Sequence, residues 1–183
     1  MNARQINLSI TVPEIALREE DKFEWRSAYE KAPAARLAKA PFTAKNAPSL
    51  PSVKPSYYVL PSQDAVKLIE QLPHELTEVE RPIAVYTVLT IDIPSQLCIH
   101  RDWGWSCALN VYIETSGEVT TFYSFDTEKK EVTPIESFRA TKDEVWVMNS
   151  KVPHGVVFPV AATRKLINFS FRRLSYRQVL DYL

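Results

Sequence analysis

Three residues of this chain have the types and spacing to hold a metal ion: His100, Asp102 and His154. The first two form a His-x-Asp pair, and the third lies far along the chain. Two neutral imidazoles and one carboxylate can occupy a single face of an octahedral divalent metal and leave the opposite face open. No thiolate is involved, which suits Fe(II). Residues two apart on a strand point to the same face, so His100 and Asp102 can project together from one strand. His154 must then arrive from a distant one. Arg164 follows His154 by ten residues. Its planar guanidinium can grip a carboxylate through two parallel hydrogen bonds.

Elements able to position these groups are visible around them. Residues 85–93, 107–113, 118–125, 145–148 and 166–171 are rich in β-branched and aromatic side chains. Short breaks carrying Pro, Ser, Asn, Gly or charge separate such runs. Eight short strands can be drawn from about residue 84 to residue 173. His100 and Asp102 are expected on the second, His154 at the start of the seventh after Pro153, and Arg164 at the start of the eighth. Cys98 shares the parity of His100 and reads as a small buried apolar residue. Arg101 points the other way.

Residues 107–113 alternate, with Leu109, Val111 and Ile113 on one face and Asn110 and Tyr112 on the other. Two assignments stand. If the apolar face packs against outer elements, Asn110 and Tyr112 line the interior beside the metal; the opposite assignment puts them outside. Thr121 and Tyr123 pose the same choice against Thr120 and Phe122. Asn168 and Ser170 share the parity of Arg164 and can add hydrogen bonds. Trp103 and Trp105 flank Gly104 directly after Asp102; they either bound a substrate pocket or pack in the core.

The order His100-x-Asp102, then His154, then Arg164, in an all-β stretch, resembles the Fe(II)/2-oxoglutarate-dependent dioxygenases. The resemblance covers roughly the last hundred residues. It implies a mainly β, double-stranded β-helix (jelly-roll, cupin-like) core with N-terminal helices packed outside. It implies Fe(II) held by His100, Asp102 and His154. It further implies 2-oxoglutarate as cosubstrate, its far carboxylate on Arg164, with Asn110, Tyr112, Asn168 and Ser170 as further contacts. The activity implied is hydroxylation of an amino acid, a peptidyl side chain or a small metabolite. A carboxylate at position 102 favours hydroxylation, because related halogenases have a small residue there. The prolyl-hydroxylase version commonly has a tyrosine where this chain has Leu97. The asparaginyl/aspartyl version often lacks the Asp ligand, which is present here. Subfamily and substrate therefore stay open. Two other readings remain: a cupin-type metal barrel doing isomerase or lyase chemistry without 2-oxoglutarate, and a non-catalytic binding module.

Composition bounds these readings. A chain of 183 residues is one domain by default. At this size about 70% of the unfolded surface can be buried. With 22 basic and 22 acidic residues the net charge is zero, so no nucleic acid or anionic membrane is expected as partner. No apolar run approaches the roughly 20 residues of a membrane span. The N-terminus has no apolar signal region, and Cys98 and Cys107 make no disulfide framework, so a reducing cytoplasm is expected. Oligomeric state is not indicated.

Residues 1–83 read as an N-terminal elaboration, 84–173 as the jelly-roll core and 174–183 as a C-terminal tail. Ile6, Leu8, Ile10 and Val12 alternate weakly, as in an edge strand. Pro13-Glu14 can open a helix. Residues 19–40 spell a helix that Pro33 breaks in two. Residues 41–55 read as a loop, either over the barrel mouth or a plain surface connection. Residues 56–60 read as a strand. Ser62-Gln63-Asp64 are expected to cap a short helix bearing Val66, Leu68, Ile69 and Leu72, ended by Pro73. His74 reads as a surface histidine in a polar turn.

Overall fold

The computed structural model describes residues 1–23, 50–102, 104–126, 128 and 131–183. Ahead of the core lie β1 (Ala3–Ile6), β2 (Lys22–Phe23), β3 (Ser56–Val59), α1 (Ser62–Ile69) and α2 (His74–Val79). The core strands are β4 (Ile83–Ile91), β5 (Ser95–His100), β6 (Cys107–Glu114), β7 (Val119–Asp126), β8 (Glu131–Phe138), β9 (Val145–Met148), β10 (His154–Phe158) and β11 (Ala162–Phe171). Helix α3 (Tyr176–Asp181) follows, closed at its start by a reciprocal capping box between Ser175 and Gln178.

The strands form two antiparallel sheets. The larger runs β1-β9-β6-β11-β4-β3-β2 and the smaller β5-β10-β7-β8. Between β4 and β11 the chain crosses from sheet to sheet at every step except the β7–β8 pair. That order is a jelly roll: four core strands on each side, with β1, β3 and β2 extending the larger sheet.

The larger sheet is covered on both faces, which explains why six successive residues of β6 are buried. Its outer face is apolar. Leu109 and Val111 of β6, Val145 and Val147 of β9, and Ile167 and Phe169 of β11 pack there with Leu68 of α1, Leu76 of α2 and Val179 of α3. Ile6, Leu8, Ile10, Val12 and Ile15 join the same cluster. The inner face meets the smaller sheet through three lesser clusters, one of them built on Leu89, Ile91, Val156 and Phe158.

The carboxylate of Glu80 ties the C-terminal segment down. It accepts from the backbone N–H groups of Arg172 at 2.7 Å, Arg173 at 3.0 Å and Leu174 at 2.8 Å. A buried carboxylate is tolerated where backbone donors satisfy it.

Several expectations need correcting. Residues 13–18 form no regular element, so Pro13-Glu14 opens no helix. In the stretch expected as a helix over 19–40, Glu19–Asp21 make one 3-10 turn and Lys22–Phe23 pair as β2 with β3. Pairing with a neighbouring strand outweighs local propensity there; residues 24–40 lie outside the described residues, as do 41–49 of the expected loop. Ser62 is the first helical residue, with Pro61 in the cap position and no side-chain cap bond. The helix stops at Ile69, and Pro73 caps the start of α2, a second helix, with His74 as its first residue. His74 is exposed and lies 3.1 Å from Glu78 one turn on. No helix among the described residues is long and apolar enough to cross a membrane.

Candidate metal centre

His154 begins β10, the inner strand between β5 and β7. It faces His100 on one side and Phe122 on the other. The β5–β10 register then slips, because β5 spends one more residue than β10 between this pair and the Leu97–Val156 pair. Gly155 sits at the slip. A Cβ there would meet the Ile99 side chain and the Leu97 carbonyl oxygen, each at 3.2 Å. Glycine thus lets β5 come close enough to set the two imidazoles side by side, with ring centroids 4.6 Å apart.

Asp102 is not on the strand. Strand β5 ends at His100, and the backbone N–H of Asp102 donates to the carbonyl of Ser150 at 3.1 Å, leaving the sheet for the loop after β9. The expected shared strand parity is therefore corrected. The carboxylate reaches the histidines by this turn: Oδ1 lies 3.4 Å from His100 Nε2 and 3.9 Å from His154 Nε2. One donor atom from each of the three residues lies within 4.8 Å of the others. Metal–nitrogen bonds of about 2.1 Å put neighbouring donor atoms about 3 Å apart, so a small inward movement completes the set.

The tautomer of His154 is legible from its partner. Nδ1 lies 2.9 Å from the Val152 carbonyl, which only accepts, so Nδ1 carries the hydrogen. Nε2 is left with its lone pair towards Asp102. Burial, then the neighbouring His100, push the His154 pKa below its ordinary 6.5, with Asp102 opposing. Burial pushes the carboxyl of Asp102 up, but the His100 hydrogen bond and the His154 charge more than offset it and hold it at about 2. At neutral pH the set is one neutral imidazole, His154, and one carboxylate, beside His100.

On the larger sheet Asn110 and Tyr112 point inward, away from the apolar outer cluster that holds Leu109 and Val111. On β7 the inner residues are Thr120 and Phe122, both buried, and Thr121 and Tyr123 face out. Asn168 Nδ2 donates to Asn110 Oδ1 at 2.7 Å, Ser170 donates to Asn168, and Asn110 Nδ2 meets Met148 Sδ at 2.9 Å. These polar groups form a chain across β11, β6 and β9.

Arg164, the third residue of β11, is 7% exposed and shares the inner face. Its Nη2 donates to the Tyr112 hydroxyl at 3.2 Å, and its Cζ lies 5.3 Å from that ring's centroid. Its Nε lies 3.1 Å from Oε1 of Glu118, itself 2% exposed. From the sequence alone Glu118 reads as a strand-start residue without a role. Val119 is the first strand residue; Glu118 ends the turn whose Gly117 has a φ of 78°. A carboxylate entering a strand after such a turn is the one signal available, and it does not reveal burial.

Trp105 is buried beneath the Arg172 guanidinium, whose Cζ lies 4.7 Å from the ring centroid. Trp103 and the side chain of Cys98 lie outside what the structure describes. Leu97 packs with Leu89, Ile91, Val156 and Phe158.

Fold and site together define a jelly roll with a two-histidine, one-carboxylate cluster able to hold a metal at one end of its inner strands. No family model matches the chain, and no curated protein matches it. Among solved structures it is similar to an oxidoreductase of the 2OG-Fe(II) oxygenase family from Burkholderia pseudomallei, at 12% identity over 68% of this chain and 64% of that one, with a TM-score of 0.47. It is similar to AviO1 from Streptomyces viridochromogenes Tue57, at 12% identity over 94% and 90%, with a TM-score of 0.46. It is similar to OsALKBH1, at 9% identity over 92% and 100%, with a TM-score of 0.40. The chain thus spans less than two thirds of the first of these. The fold assignment rests on the strand order, and the site on its own distances.

Proposed function

We propose that this chain is an Fe(II)- and 2-oxoglutarate-dependent oxygenase that hydroxylates an amino acid, a peptidyl side chain or a small metabolite. The observation that carries the reading is the gathering of His100 Nε2, His154 Nε2 and the Asp102 carboxylate from three separate places in the chain. Two imidazoles and one carboxylate suit Fe(II) and leave an open face. Iron with 2-oxoglutarate supplies oxidative decarboxylation coupled to hydroxylation; the chain supplies binding and orientation.

His154 is fixed by the Val152 carbonyl so that Nε2 faces the metal position, and the Asp102 carboxylate stays ionised to low pH. Arg164, with the Tyr112 hydroxyl beside it, offers donors for the far carboxylate of the cosubstrate. Asn110, Asn168 and Ser170 lie on the same inner face and are assigned to cosubstrate orientation. Asp102 in the third ligand position favours hydroxylation over halide transfer.

One observation favours a second reading. Arg164 already faces a buried carboxylate, Glu118, as a barrel that never meets 2-oxoglutarate would require. Such a barrel would be a cupin-type metal site. Anaerobic titration with Fe(II) and then 2-oxoglutarate separates the two. A weak visible charge-transfer band on adding 2-oxoglutarate is the expected result. Stoichiometric iron with no band at any 2-oxoglutarate concentration would move the assignment to the second reading.

A further inference from the structure

We propose that Glu118 is a specificity-determining residue, a built-in counter-carboxylate that sets how strongly Arg164 prefers a ligand with an anionic tail. The proposal rests on the 2-oxoglutarate reading above. The starting point is that both groups are almost wholly buried, at 2% and 7% exposure, with Nε and Oε1 3.1 Å apart. A lone guanidinium in that position would be costly whenever no ligand was bound. Glu118 compensates the charge and lets the empty barrel stand.

The compensation is one of charge more than of direction. Neither Arg164 Nε nor Glu118 Oε1 makes an aligned hydrogen bond, although they are close. Glu118 is held instead by its own turn: Oε2 accepts from the Ser116 backbone at 2.9 Å, and Ser116 Oγ donates to the carbonyl of Thr163, the residue before Arg164, at 3.1 Å. Its position is therefore set by the β6–β7 turn as well as by the arginine. Glu118 and Tyr112 lie against Nε and Nη2. Both N–H groups of Nη1 and the second N–H of Nη2 remain for a ligand carboxylate.

A carboxylate arriving there meets a guanidinium whose charge is already balanced, and a fixed like charge behind it. Both effects weaken the attraction for an anionic tail and leave a neutral hydrogen-bonding tail almost untouched. Glu118 thus narrows the gap between 2-oxoglutarate and a neutral analogue of the same shape.

The test uses iron-loaded protein under anaerobic conditions, read by the visible chelate band. The probes are 2-oxoglutarate and 2-oxoglutaramate, its 5-amide. In the wild type, 2-oxoglutarate should bind better than the amide by no more than about tenfold, against the roughly hundredfold expected of an uncompensated buried arginine. A wild-type preference of a hundredfold or more would overturn the proposal without any variant. Glu118→Gln keeps the shape and removes the charge; it should tighten 2-oxoglutarate by about tenfold while the amide and iron affinities hold. Glu118→Asp, which keeps the charge, should stay near wild type. Unchanged or weaker 2-oxoglutarate binding in Glu118→Gln, with the band present, would make Glu118 a support for Arg164 and overturn the proposal. The cosubstrate reading fails differently, with iron bound and no band in any of the three proteins, and the proposal falls with it.

Discussion

The two faces of the larger sheet differ in chemistry on the same strands: the outer is apolar, the inner mixes apolar residues with amides, hydroxyls and a charge. The outer face of β6, β9 and β11 presents Leu109, Val111, Val145, Val147, Ile167 and Phe169, and helices and the N-terminal segment cover it. On β6 and β11 the inner face presents Asn110, Tyr112, Arg164, Asn168 and Ser170 among apolar residues such as Ala108 and Leu166. Burying apolar area stabilises by about 25 cal/mol per Å². A buried hydrogen bond between amides or hydroxyls contributes only about 1 kcal/mol net, and a buried ion pair is often no better than apolar residues of the same volume. The outer face therefore holds the fold, and the inner face has a composition that stability alone does not explain. Substitutions on the two faces should separate the two roles.

The largest effect is expected at the ligands. His100→Ala and His154→Ala should each abolish tight Fe(II) binding, losing more than the roughly hundredfold that removal of a supporting partner costs a metal site. Both variants should still fold, because the apolar outer face is intact. Asp102→Ala should retain weak iron on the two imidazoles and lose coupled succinate formation. The checks are iron stoichiometry and affinity, with thermal unfolding alongside. Wild-type iron affinity in either histidine variant would remove the ligand assignment.

Phe169→Ala is the counterpart on the outer face. Phe169 is fully buried, and such truncations cost about 3–5 kcal/mol. Denaturant unfolding should register that loss, while the protein that remains folded binds iron as the wild type does. A large loss of iron affinity in the folded fraction would mean that the two faces are coupled.

Arg164 joins both roles. Arg164→Ala leaves Glu118 buried and unpaired, and breaking such a pair costs about 3–5 kcal/mol. It should also weaken 2-oxoglutarate by roughly a hundredfold, at about 1.4 kcal/mol per tenfold. Arg164→Lys keeps the charge without the fork and should lose less on both counts. Iron affinity should hold in both. Equal 2-oxoglutarate affinity in all three proteins would separate Arg164 from the cosubstrate.

What could be read from the sequence follows from the range of the forces involved. The core strands are legible because β-branched and aromatic runs between turn residues are a local signal, and the order His100, Asp102, His154, Arg164 survives in one dimension. The inward direction of Asn110 and Tyr112 is half legible: the alternation is local, but which face is covered by helices is not. Asp102 leaves its strand through a backbone bond to Ser150, which has no sequence signature. The Glu118–Arg164 pair joins residues 46 positions apart by number (164 − 118), and nothing in either neighbourhood announces it. The N-terminal helix expected from propensity gives way over 19–23 because β2 has a strand to pair with.

The smallest effect is on pH dependence, and it isolates His154 of the smaller sheet. Burial, then His100, lower the His154 pKa in the folded chain, with Asp102 opposing. The unfolded chain takes up a proton on this residue near 6.5. Below that pH the unfolded state therefore binds more protons than the folded one, and stability falls as pH falls, until the folded pKa is reached. Above 6.5 the two states bind equally and His154 contributes no slope. One proton limits the slope to about 1.4 kcal/mol per pH unit. The metal-free wild type should thus lose more stability between pH 7.5 and 5.5 than His154→Gln, which cannot titrate. Groups away from the His100–Asp102–His154 cluster contribute alike to both proteins and cancel in the difference. Denaturant unfolding at the two pH values measures it. Equal losses would mean that His154 is as easily protonated in the fold as in water, and that its Nε2 is not held as a free lone pair towards Asp102.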